Sequence, residues 1–150
     1  MTNNMDTSPL RSASTELLIS TSGISFVEFT SKVENWVSQI NATGGLLTVF
    51  VRHTSASLTI QENADPSVLK DLTDSLDAMA PQNHPYRHSQ EGPDDMPAHI
   101  KSMLTATSLS IPIINGTTAL GTWQGVYLIE HRTSPHNRKV VLQYIGSTAT

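Results

Sequence analysis

From residue 123 to residue 132 the chain alternates, with Trp123, Gly125, Tyr127, Ile129 and His131 on one face and Gln124, Val126, Leu128, Glu130 and Arg132 on the other. A period of two held this long marks a β-strand, because successive side chains of an extended chain point to opposite sides. Such a strand needs neighbours. Ser134-Pro135-His136-Asn137 reads as a turn, and residues 138–145 as a last strand, hairpin-paired with its predecessor. Residues 46–51 are rich in β-branched and aromatic side chains and read as a buried strand, whose row of Leu47, Val49 and Val51 continues to His53. Residues 14–21, 58–60 and 108–114 are three further strands, the last broken by Pro112, which points to an edge or a bulge.

Helical spacing appears in three places. Phe29, Val33, Trp36, Val37 and Ile40 form an apolar stripe that stops near Asn41 and Gly44-Gly45. Asp65-Pro66 is a cap followed by a proline at the first helical position, and Val68, Leu69, Leu72, Leu76 and Met79 face inward until Pro81. Pro97 starts a third helix, with Asp95 or Met96 near its cap and His99 at the edge of its stripe. Six strands, mostly antiparallel, and three helices make an α+β fold. At 150 residues the chain fits one domain over 14–150, after a polar, flexible terminus over 1–13.

The ionisable residues concentrate where a polar loop, 82–95, meets the third helix: Glu91, Asp94, Asp95, His99 and Lys101. Two other histidines stand at the ends of buried rows, His53 beside Arg52 and His131 beside Arg132. Cysteine is absent, so any metal takes nitrogen and oxygen ligands. Three imidazoles from three rigid elements, His53, His99 and His131, are a candidate set for a divalent metal such as zinc, with an open position for water or substrate. Glu91, Asp94, Asp95 and Glu130 are then the groups that fix the imidazole tautomers. The alternative is that each histidine is hydrogen-bonded at its strand end. His84 and His88 are four apart but separated by Pro85, which places them on a loop and at the surface.

Arg52, Lys101, Arg132 and Arg138 are candidates for holding phosphate or carboxylate, and Trp123 with Gln124 for lining a pocket. Ser57 lacks the G-x-S-x-G surroundings of a hydrolase nucleophile, and no phosphate-binding glycine loop is present. The net charge of −4 gives no case for nucleic acid or an anionic membrane surface. No apolar run approaches the ~20 residues of a membrane span, and residues 1–10 do not resemble a signal peptide, so a cytoplasmic location is expected.

Four blocks together resemble the YjbQ family of secondary thiamine-phosphate synthases. They are the run from His53 to Pro66, the stretch from Glu91 to Lys101, the segment with Ser108, Ile111, Ile113 and Gly116 followed by Leu120-Gly121-Thr122-Trp123-Gln124, and Leu128 to Arg132 followed by Arg138. The resemblance implies packed antiparallel sheets, a homotrimer, and a cleft where His53, His99 and His131 converge. It implies joining a pyrimidine diphosphate to a thiazole phosphate, a reaction that calls for a divalent cation, zinc or magnesium. On this reading His53, His99, His131 and Glu91 act in catalysis, and Ser57, Lys101, Trp123, Gln124, Arg132 and Arg138 hold a small phosphorylated substrate. Two other activities fit the same residues: a metal-dependent hydrolase or lyase of a small phosphorylated metabolite, and a metabolite-binding trimer that turns nothing over.

Overall fold

A computed structural model describes residue 3 and residues 5–150; the expected terminal segment 1–13 lies partly outside them. Eight strands and three helices follow in the order β1 (Arg11–Thr21), β2 (Ser25–Glu28), α1 (Thr30–Gln39), β3 (Ala42–Val51), β4 (Ala56–Glu62), α2 (Pro66–Met79), α3 (Asp95–Leu104), β5 (Ser108–Ile114), β6 (Thr117–Thr118), β7 (Gln124–Glu130) and β8 (His136–Thr148). Five strands form one sheet in the order β1-β8-β3-β5-β6, and three form a second in the order β2-β7-β4. Every strand pair is antiparallel.

The core lies between the sheets and α1. Leu47, Val49 and Val51 of β3 and Val140, Leu142 and Tyr144 of β8 face Leu58 of β4 and Val126 and Leu128 of β7, and Phe29, Val33 and Val37 close the side. The other face of the small sheet, with Phe26, Ile129 and His131, lies under Thr73, Leu76 and Lys101 of α2 and α3.

Two expectations about pairing change. The last strand does not pair with β7: β8 runs between β1 and β3, from Thr21↔His136 to Ala42↔Thr148. The segment 131–135 therefore crosses from one sheet to the other instead of making a hairpin. Gly44 and Gly45 do not stop α1 but sit inside β3, where a side chain on Gly45 would strike the Ile145 carbonyl of β8. The stop is Asn41, whose φ of 56° ends the helix. Residues 11–13 already pair with β8, so the ordered sheet starts earlier than residue 14. Pro112 does lie towards the sheet edge, where β5 is joined to β6 by a turn with Asn115 at φ 51° and Gly116 at φ 79°.

Candidate metal centre

α3 begins at Asp95, two residues before Pro97, and this earlier start decides the geometry. Pro97 is tolerated because the first four amides of a helix have no partner within it. Asp94 sits at the cap, but its carboxylate turns sideways to accept from the Thr133 amide at 2.9 Å, the Thr133 hydroxyl at 3.1 Å and Arg132 Nε at 2.9 Å. The same guanidinium donates from Nη1 to Asp95 Oδ1 at 2.7 Å and from Nη2 to the Glu91 carbonyl at 2.9 Å. One arginine, just past the end of β7, thus ties down the loop end, the cap and the first residue of α3.

Arg132 uses one oxygen of Asp95. The other, Oδ2, lies 2.6 Å from His88 Nε2 and 3.2 Å from His99 Nε2. Glu91 Oε2 stands 3.4 Å from His88 Nε2. The four groups, His88, Glu91, Asp95 and His99, each offer a ligand atom within 4.8 Å of the others. A metal held at about 2.1 Å from each ligand sets adjacent ligand atoms about 3.0 Å apart in an octahedral site and about 3.4 Å apart in a tetrahedral one. The His88–Asp95, His99–Asp95 and His88–Glu91 separations of 2.6, 3.2 and 3.4 Å lie around these values, so two imidazoles and two carboxylates are a candidate set for a divalent ion.

The electrostatics agree with a cation site. The hydrogen bond that His88 donates to Asp95 raises the pKa of His88, with burial opposing and the charges of Asp95 and Glu91 adding to the rise. For Asp95 burial works upward, but the hydrogen bond from His88 and the charge of Arg132 outweigh it, and the pKa is lowered. Asp94 is brought down to about 2, against the effect of burial, by Arg132 and Thr133.

Residues 15–147 match the family described as UPF0047 protein YjbQ-like. The chain belongs to this family. It is 56% identical over 131 residues to UPF0047 protein sll1880 of Synechocystis, covering 87% of this chain and 89% of that one. It is 45% identical over 102 residues to UPF0047 protein YjbQ of Escherichia coli O157:H7, covering 68% and 74%. Its fold matches a crystal structure of a YjbQ/UPF0047 protein from Clostridium acetobutylicum with a TM-score of 0.77 at 36% identity, covering 88% and 98%. A YjbQ-like protein of unknown function from Sulfolobus solfataricus shares the fold, with a TM-score of 0.86 at 18% identity over 93% and 100%.

In this YjbQ-family chain the three expected histidines do not meet. Among the described residues the one metal-compatible group contains His99 and Glu91 but neither His53 nor His131. The reason lies in the sheets. His53 leaves the end of β3 in the large sheet, and its Nε2 accepts the Lys139 amide of β8 at 2.8 Å. Burial and the charge of Arg138 lower its pKa. His131 lies on the helix-covered face of the small sheet, fully buried, with Nε2 2.8 Å from Ser57 Oγ. Burial, with Lys101 nearby, lowers its pKa to about 3. Ser57 in turn contacts the Thr105 hydroxyl at 2.6 Å.

The expected phosphate binders are also committed elsewhere. Arg138 is buried and donates to both carboxylate oxygens of Glu130, at 2.8 and 2.5 Å. Thr21 adds a third bond to Glu130 at 2.6 Å, so this ion pair clips the two sheets together. Lys101 is buried with its ammonium on Asp77 of α2. Gln124 accepts from the Gly121 amide at 2.7 Å, and Trp123 beside it is 63% exposed. Both stand at the opposite end of β7 from the metal centre, roughly 20 Å away for a seven-residue strand. Sequence reasoning placed His88 at the surface, where its side chain is 45% exposed, but did not bring it to Asp95. The available signal was the spacing of Asp95 and His99, which are i and i+4 on α3 once the helix starts at Asp95.

Proposed function

We propose that this protein is a metal-dependent enzyme acting on a small phosphorylated metabolite, with its divalent ion held by His88, Glu91, Asp95 and His99. The observation that carries the reading is the approach of these four ligand atoms to within 4.8 Å of one another. A divalent ion there supplies Lewis-acid chemistry, polarising a phosphoryl oxygen or lowering the pKa of bound water. The chain's own part is to hold Asp95 through Arg132 and to present His88 and Glu91 from the loop. Arg87, exposed beside His88, is the cation closest in sequence for a phosphate.

Within this reading, the thiamine-phosphate synthase-type reaction is favoured by the ligand set. Two carboxylates among the four ligands suit magnesium and a pyrophosphate leaving group better than three imidazoles do. The test supplies both phosphorylated precursors to the purified protein with magnesium, manganese or zinc. The expected result is thiamine phosphate formed by the parent and lost in Asp95→Asn. Release of inorganic phosphate or pyrophosphate from either precursor alone, with no joined product, moves the assignment to a hydrolase. Binding without turnover under every metal leaves a metabolite-binding protein.

A homotrimer is part of the proposal. The outer face of the large sheet exposes Leu18 of β1, Leu46 and Phe50 of β3 and Ile145 of β8, an apolar face that another copy would cover. The proposed location is the cytoplasm; no helix among the described residues is long and apolar enough to cross a membrane.

A further inference from the structure

A cleft of about 770 Å³ opens at the start of β7, away from the metal centre and within the size range of small-molecule sites. One wall is a face of α1, where Ser31, Glu34 and Ser38 recur at helical spacing. The facing wall is the β5–β6 turn and the segment leading to Gln124, and Glu28 and Asn63 close one end. Val37 and Leu120 add apolar surface.

Its charge is one-sided. Among the described residues, Glu28 and Glu34 are the only charged ones that line the cleft, with no lysine, arginine or histidine beside them. A phosphate or carboxylate entering would meet like charge only, whereas a cation would meet two solvent-exposed carboxylates. The polar groups are also held in place. Glu28 Oε2 accepts from the Thr30 hydroxyl at 2.8 Å and from Asn63 Nδ2 at 3.4 Å. Gly125 makes this possible, since a Cβ there would come within 2.7 Å of Glu28 Oε2. Gln124, which lines the cleft, is fixed by the Gly121 amide.

We infer that this cleft is a second ligand site, for a small organic cation with N–H donors: an amine, an amidine or an amino-substituted heterocycle. Glu28 and Glu34 supply the charge, Gln124 and the α1 hydroxyls the hydrogen bonds, and Leu120 with Val37 the apolar surface. The site lies apart from the proposed metal ligands, so its occupancy does not depend on metal.

Three probes of one shape and different charge test this. The full-length protein, labelled with ¹⁵N, is titrated with benzamidine, benzamide and benzoate. Benzamidine is expected to shift the Gly116, Gly121 and Gln124 signals saturably, benzamide more weakly, and benzoate not at all. Glu28→Gln is expected to weaken benzamidine about fivefold while leaving benzamide unchanged, as for the loss of one partly exposed charge pair. Glu34→Gln gives the same reading if the Glu28 variant does not fold. Equal binding of benzoate, shifts centred on His88 and His99 instead, or benzamidine binding unaltered in the folded variants would each overturn the inference.

Discussion

Asp95 divides its two oxygens between two tasks: Oδ1 receives Arg132 at 2.7 Å, and Oδ2 lies 3.2 Å from His99, one helical turn further along α3. The first contact belongs to the frame, because Arg132 also holds Asp94 and the Glu91 carbonyl. The second belongs to the site.

Metal titration by calorimetry should separate these tasks. Asp95→Asn and His99→Ala are expected to abolish tight binding of zinc or manganese. Arg132→Ala, which removes an outer partner, should weaken it by about 10–100-fold. His53→Ala should leave it unchanged, because His53 is bonded to the Lys139 amide.

The His88–Asp95 pair sets a pH window in the metal-free protein. His88 has a raised pKa, so its contribution to stability is complete below its unfolded value near 6.5 and is lost as pH rises through the folded value. Asp95 has a lowered pKa, so its contribution is present above 3.8 and is lost as pH falls through the folded value. Protons would compete with the proposed metal at His88, so as pH is lowered its affinity should begin to fall while the pH is still above 6.5. NMR titration of the His88 ring measures the folded pKa directly, and a value at or below 6.5 would count against the pairing.

His131 acts in the opposite sense. Its folded pKa of about 3 lies below the ordinary 6.5, so the unfolded chain binds the extra proton first as pH falls. Stability should therefore drop between those two pH values by about 1.4 kcal/mol per pH unit from this one group. Urea denaturation across this range should show the slope, and His131→Gln should flatten it.

Arg138→Met leaves Glu130 buried without its partner, and a loss of about 3–5 kcal/mol is expected. Joint replacement of Glu130 and Arg138 by apolar residues should recover much of that loss. If Arg138 instead serves substrate, the single variant will lose activity while keeping its denaturation midpoint.

Phe50→Asp places a charge in the apolar outer face of the large sheet. The parent is expected to have the mass of three chains by light scattering, and the variant that of one. A parent of monomer mass removes the trimer.

Much of this architecture was legible in the chain. The strand row ending at His53, the Asp65-Pro66 helix start and the Asn115-Gly116 turn were readable because each depends on neighbouring residues. The sheet partners were not: whether β8 follows β7 into a hairpin depends on where residues 131–135 lead, and the choice is made by long-range pairing with β1 and β3. The site shows the same division. His99 and Glu91 were identified in sequence, but placing the third helix at Pro97 hid the turn that joins Asp95 to His99. His88 was read as a surface residue because Pro85 rules out a helix around it; a loop folding back onto α3 has no periodic signature. His53 and His131 shared the sign of a ligand, the end of a buried row, but those rows belong to different sheets.

The arginine clamp has a consequence for how metal content should be interpreted. Arg132 and Thr133 balance Asp94 and half of Asp95 before any ion arrives, and no core side chain of the two sheets is a ligand. The proposed ion would therefore join an already folded chain and exchange without unravelling it. An ion found in a purified sample would then record what the growth medium supplied, and the working metal must be identified by reconstitution and turnover.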